Sequence, residues 1–438
     1  MLFRRFSCAV IACVGAIAVG PAVAGHHAPE SSAAKPATTG AFSTFTPRGE
    51  TVRELEYWLK DYGFIEAWNT TRGAGVTVAV IDTGVDGSVP DLAGAVTGGA
   101  DVSGLGSPDG QQPVGADGKH GTLVASLIAG RDRGSAVGVI GTAPEASILS
   151  ISIALGGDAG AVNTDDQIAQ AVRWAVDNGA SVINMSLTRN SRQWPTSWDA
   201  VFKYAFEKDV VIVAAAGNRG NGTTEVGAPA TIPGVLAVAG VSRKRQASSD
   251  ASSQGITIGV AAPSEQLVGV LPGGQYATWA GTSGAAPIVS GLVALVRAAH
   301  PNLNAANVIN RVISTASPKG DTYPSPIYGF GLISAQAAVS EPVPFVDTNP
   351  LGDLNEWIRL HRREESTPLP SEPPTTATAA PIPLPQDANR TRFDALLPRT
   401  QFLTGVVLPL ALLLGFATLV SLSVVGATRH FKRLLHRE

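Results

Sequence analysis

Six consecutive uncharged residues, Val76-Thr77-Val78-Ala79-Val80-Ile81, all β-branched except Ala79, run directly into Asp82-Thr83-Gly84. A strand that is apolar on both faces does not suit a half-exposed sheet. It needs helices above and below, as at the centre of a parallel sheet. The stretches that follow keep this sense: 146–153, 180–187 and 209–216 read as strands, with helices over 165–178 and 198–207 between them. Such alternation predicts an α/β domain with a doubly wound parallel sheet and helices on both faces. Asp82 then stands at the carboxyl end of a central strand, where open α/β sheets carry their chemistry.

The 438 residues hold more than that domain. Met1-Leu2-Phe3-Arg4-Arg5, an apolar run to Val19 and Ala22-Val23-Ala24 make the pattern of a secretory signal peptide over 1–24. Val10-Ile11-Ala12-Cys13 faintly resembles a lipoprotein box, but apolar sequence continues past it. Cys8 and Cys13 are the only cysteines, so a chain cut after Ala24 has neither disulfides nor thiolate chemistry. Residues 25–60 form an N-terminal extension that starts as an extended tail, His26 and His27 included. From 50 to 68, Leu55, Trp58, Leu59, Tyr62, Ile65 and Trp68 fall near one helical face. The main domain is assigned to 61–340. A Pro-rich linker follows over 341–401, with a short helix at 353–360 placed to dock on the domain. Residues 402–427 carry no charge and, at about 1.5 Å per residue, exceed the roughly 30 Å hydrocarbon thickness. Arg429, Lys432, Arg433 and Arg437 follow in 428–438, a basic tail that stays cytoplasmic. The expected topology is a single-pass cell-membrane protein with its domain outside. A net charge of −3 gives no argument for a nucleic-acid partner.

Gly281-Thr282-Ser283-Gly284-Ala285-Ala286-Pro287 precedes the apolar run 288–296, which reads as a buried helix. A serine between small residues at a helix start is accessible to another backbone and close to first-turn N–H groups. It is equally a plain N-cap. A nucleophilic serine needs a base, and between Glu50 and Ser340 there are only His120 and His300. His300 ends a helix before Pro301, a usual place for histidine at the negative end of the dipole. His120 opens an apolar helix, with Gly118 and Gly121 clearing space beside it. Asp82-Thr83-Gly84 fits one half of an aspartic-protease dyad, which needs a second copy in the chain or a dimer, or a carboxylate orienting a histidine; the chain has no second copy, and the α/β alternation is wrong for that all-β architecture. The tripeptide also fits a strand-end turn. Asn218 ends the strand-like run 210–216 after Gly217, where an amide can donate to an oxyanion or serve a turn.

Together these residues occur in the order Asp82, His120, Asn218, Ser283. The words around them, Val80-Ile81-Asp82-Thr83-Gly84-Val85-Asp86, His120-Gly121-Thr122, Ala216-Gly217-Asn218 and Gly281-Thr282-Ser283, resemble the subtilisin-family (subtilase) signatures over about 73–338. The resemblance implies a serine endopeptidase with a subtilisin-like fold and no cofactor. It implies that Asp82 orients His120, that His120 deprotonates Ser283, and that Asn218 with the Ser283 N–H binds the oxyanion. Ser186-Leu187-Thr188 and Ala215-Ala216-Gly217 correspond to the two strands walling the substrate pocket. Thr188 stands where glycine is usual, which implies a narrow site for a small or medium apolar side chain. The signal peptide, extension, linker, span and basic tail are similar to the layout of the mycosins, proteases associated with type VII secretion. That likeness implies a polypeptide substrate and a membrane secretion complex as partner, or alternatively a docking role in such a complex. Two features depart from the pattern. Gly284 follows the serine where a larger residue is common, which would loosen the turn, and the region after 24 lacks the cysteines mycosins often have. No acidic loop suggests a calcium or other metal site.

Overall fold

The computed structural model describes residues 35–36, 39–45, 51–133, 138–155, 162–221 and 224–362. These lie within the first of two compact units, Met1–Thr367; the second, Pro368–Glu438, lies outside the described residues. The signal peptide, most of the Pro-rich linker, the span at 402–427 and the basic tail therefore also lie outside them.

The strands are β1 (Lys35–Pro36), β2 (Thr39–Phe45), β3 (Thr77–Asp82), β4 (Val96–Asp101), β5 (Ser147–Ser152), β6 (Val182–Met185), β7 (Leu187–Thr188), β8 (Val211–Ala215), β9 (Leu236–Val241), β10 (Ile258–Pro263), β11 (Leu267–Val270) and β12 (Tyr276–Ala280). The helices are α1 (Thr51–Leu55), α2 (Tyr57–Asp61), α3 (Phe64–Ala67), α4 (His120–Ala129), α5 (Thr164–Asp177), α6 (Thr196–Glu207), α7 (Thr282–Ala299), α8 (Ala305–Ser314), α9 (Ala335–Ser340) and α10 (Leu354–His361).

Seven strands form one parallel sheet in the order β10-β9-β8-β6-β3-β5-β4. The apolar run 76–81 becomes β3, flanked on both sides by neighbours, with Val78 to Ile81 fully buried. Each such side chain contributes roughly 1.5–3 kcal/mol on leaving water if it is valine- or isoleucine-sized. The sheet is the doubly wound arrangement that the alternation predicts.

The stretch 50–68 is not one helix. Glu56 turns inward, where its Oε1 accepts the Ile140 N–H at 2.8 Å, and the chain folds instead into α1, α2 and α3. Trp58 and Phe64 are buried, but Ile65 points out of the face predicted for it and is exposed. The body also continues past residue 340. Asp353 caps α10 by accepting the Asn355 and Glu356 N–H groups. Trp357 of α10 packs on Trp194 with ring centroids 4.4 Å apart, and Arg362 reaches Asp199 at 2.9 Å.

A second sheet, in the order β11-β12-β2, is antiparallel. Its outer strand β2 comes from the N-terminal extension, and the preceding strand β1 pairs with β7. Among the described residues one helix is long and apolar enough to cross a membrane, α7; 83% of its apolar window is buried inside the body, which makes it a core helix.

Candidate active site

The carboxyl end of β3 delivers Asp82, and the first residue of α4 is His120. Both are fully buried, and His120 Nδ1 lies 2.8 and 2.9 Å from the two Asp82 carboxylate oxygens. Asp82 Oδ1 also accepts the Thr83 N–H at 2.7 Å. Thr83 joins the two elements: its Oγ1 accepts the Gly121 N–H at 3.0 Å and donates to the Gly118 carbonyl at 3.2 Å. A β-carbon on Gly121 would sit 2.3 Å from the Gly84 carbonyl oxygen. That glycine admits the Asp82 loop, rather than clearing space for a ligand.

Ser283 is the second residue of α7. Pro287 lies inside this helix and has no N–H for the carbonyl four residues earlier, that of Ser283. The Ser186 hydroxyl takes the vacant place, donating to the Ser283 carbonyl at 2.8 Å. Ser283 Oγ in turn donates to the Ser186 carbonyl at 3.0 Å. A reciprocal pair of bonds thus ties the serine to the residue just before β7.

Asn218 follows β8. Its Oδ1 accepts the Thr282 N–H and the Thr282 hydroxyl, both at 2.9 Å, while Thr282 Oγ1 accepts the Gly217 N–H at 3.2 Å. The amide is thereby oriented with its NH₂ directed away from Thr282. Asn218 Nδ2 and His120 Nε2 are both buried without a hydrogen-bond partner. Orphaned polar atoms are rare in native interiors, and each calls for a partner that the folded chain does not supply. A base nitrogen, an amide donor and a serine hydroxyl are the groups that acyl transfer needs. Ser283 does not donate to His120 here. Such bonds are often loose before substrate arrives and tighten only in the complex.

Of the predicted pocket residues, Ser186 touches Ser283 directly, and Leu187 and Thr188 form β7. Thr188 is buried with its hydroxyl donating to the Arg189 carbonyl at 3.1 Å. Ala215 and Ala216 are fully buried, and Gly217 reaches the site through its N–H to Thr282. His300 lies away from these groups, its Nε2 2.7 Å from the Val339 carbonyl. Gly284 does not loosen the serine turn. A β-carbon there would stand 2.1 Å from Leu267 Cδ1 and 3.4 Å from Trp279 Cη2, so the space is already filled. Thr83, Thr282, Leu267 and Trp279 also belong to the site. The first two lie inside the Asp82 and Ser283 motifs, whereas the last two carry no local signal in the sequence. No group of three or more His, Cys, Asp or Glu side chains arranged to hold a metal occurs among the described residues.

Residues 73–331, more than half of the chain, match the Subtilase family. Subtilisin E of Bacillus subtilis is 38% identical over 268 residues, which cover 61% of this chain and 66% of that protein, just under two thirds. MycP3 protease from the type VII (ESX-3) secretion system is similar in structure, with a TM-score of 0.59 and 32% identity over 71% of this chain and 95% of that one. MycP1 from the ESX-1 type VII secretion system gives a TM-score of 0.57 and 28% identity over 73% and 94% of the two chains. The matched region contains Asp82, His120, Asn218 and Ser283, and the chain belongs to the subtilase family.

Proposed function

We propose that this chain is a membrane-anchored, extracytoplasmic serine endopeptidase that works at a type VII-like secretion complex. The observation that carries the enzymatic part is the pair of buried orphans, His120 Nε2 and Asn218 Nδ2, beside a serine at a helix start. His120 Nε2 takes the Ser283 hydroxyl proton as Oγ attacks the peptide carbonyl. Asp82, held on Nδ1, keeps the imidazole in the tautomer with Nε2 free and stabilises the imidazolium. Asn218 Nδ2 and the Ser283 N–H receive the developing oxyanion. Collapse breaks the C–N bond, and His120 returns its proton to the leaving amine. Water then attacks the acyl-enzyme with His120 again as base, releasing the acid and restoring Ser283. No cofactor enters these steps.

Ser186, Leu187 and Thr188 form one substrate wall and Ala215, Ala216 and Gly217 the other. The mycosin-like solved structures and the charge-free segment 402–427 with its basic flank support the anchored, secretion-linked reading. A serine-directed fluorophosphonate should label the full chain, and Ser283→Ala should abolish both labelling and peptide cleavage. Labelling that persists in Ser283→Ala would place the nucleophile elsewhere.

The second reading is a docking body within the secretion complex. It is favoured by the pairing of β1, from the extension, on β7, the strand next to the serine. Under that reading full-length Ser283→Ala still supports export, and a soluble form ending near residue 365 does not.

A further inference from the structure

Leu267 and Trp279 are cross-strand partners on the hairpin β11–β12 and are buried, at 0% and 5% exposure. Both close on Gly284, the residue after the serine. The Trp279 ring also meets the His120 ring edge-to-face, with centroids 6.0 Å apart and planes at 80°. The same hairpin is fastened to α4, since the Val270 N–H reaches Ser126 Oγ at 3.3 Å. A β-carbon on Gly269 of β11 would stand 2.8 Å from Leu123 Cδ2 of that helix. One hairpin therefore touches the helix that carries the histidine and the helix that carries the serine.

The Asp82 carboxylate fixes where His120 Nδ1 lies, but a bond at one nitrogen leaves the ring free to swing about the line joining it to the carboxylate. An edge-to-face aromatic contact removes that freedom, because its attraction depends on the angle between the planes. We propose that Trp279 is a positioning residue for His120, and that Leu267 replaces from β11 the bulk that Gly284 lacks, so that the hairpin sets serine and base against each other. Trp279 acts through the imidazole, and Leu267 acts through the first turn of α7.

This inference rests on the serine-peptidase reading, and its tests separate the two. In the full-length protein, Trp279→Leu should lower both kcat and the rate of fluorophosphonate labelling about tenfold, the scale of a sub-ångström misalignment of reacting groups. KM for a short peptide should change less than twofold, and Trp279→Phe should restore most of the loss. Gly284→Ala forces a methyl group against Leu267 and should cut labelling at least tenfold. Adding Leu267→Ala to it should recover labelling, because the cavity made accepts the methyl. Unchanged kcat and labelling in Trp279→Leu would overturn the role of Trp279. Failure of Leu267→Ala to rescue Gly284→Ala would overturn the role of Leu267. Ser283→Ala that still labels would instead defeat the peptidase reading itself.

Discussion

Asn218 commits its carbonyl oxygen to Thr282 and leaves its NH₂ unpaired, an arrangement that a structural turn residue has no reason to keep. Asn218→Ala should therefore lower turnover by about 10²–10³-fold, the usual effect of losing one oxyanion donor. Steady-state kinetics on a peptide substrate measure this, and a loss below about tenfold would remove Asn218 from that role. At this scale the grouping of Asp82 with His120, and of Asn218 with the turn that holds Ser283, was legible. Asp82, His120, Asn218 and Ser283 each lie at a strand end or helix start, where an α/β sheet puts its chemistry, and each has distinctive neighbours in the chain. What supports them was not legible. Trp279 reaches His120 across 159 positions of sequence, and nothing around Trp279 distinguishes a ring that orients an imidazole from a core tryptophan. The packing around Gly284 is hidden for the same reason, since the atoms that fill its place come from Leu267.

Among the elements, β1 on β7 bears most directly on activity. The pairing is antiparallel, Lys35 opposite Thr188 and Pro36 opposite Leu187. As the extension advances by one residue, its partner steps back towards Ser186, which is bonded to Ser283. An extended substrate adding to this strand would need the same backbone groups. Proline has no N–H, so bonds to β7 that use an amide donor fall to Lys35. Lys35→Pro removes that amide donor and should lower KM for a peptide substrate about fivefold, at about 1 kcal/mol for the one hydrogen bond lost, with kcat unchanged. Lys35→Ala keeps the N–H and should leave KM unchanged. Equal KM values for both variants and the parent would show that β1 does not compete with substrate. Strands β3, β5, β6 and β8 of the large sheet were legible because an apolar pattern within a dozen residues reports each, whereas β4, β9 and β10, rich in Gly and Ala, were not. The second sheet was not, since it joins 39–45 to 276–280 and no local pattern encodes a partner so distant. The break of 50–68 into three helices was hidden likewise, because Glu56 is drawn inward by the N–H of Ile140.

At the scale of the whole described body, Glu56 is a buried acid whose charge Arg53, 3.8 Å away, offsets only in part. Burial pushes the Glu56 carboxyl well above its ordinary 4.5, opposed by the Arg53 charge and the Ile140 N–H and reinforced by Asp91 and Asp132. A carboxyl whose pKa is raised by folding binds its proton more tightly in the native state. Its contribution is complete below about 4.5 and is lost as pH rises through the folded value. Melting temperature should accordingly decline above pH 4.5 by a component that Glu56→Gln removes, since the amide oxygen still accepts from Ile140 and carries no charge. An identical decline in the glutamine variant, followed by calorimetry against pH, would assign it to other groups. Gly284 also bears on how the protein meets oxidants. The chain has two cysteines and two methionines, at positions 8, 13, 1 and 185, so a chain cut after Ala24 keeps a single sulfur atom. That atom belongs to Met185, which is fully buried in β6. With glycine beside the nucleophile and the one remaining thioether fully buried, peroxide finds no exposed sulfur next to Ser283. Such a chain is chemically suited to long residence in an oxidising exterior.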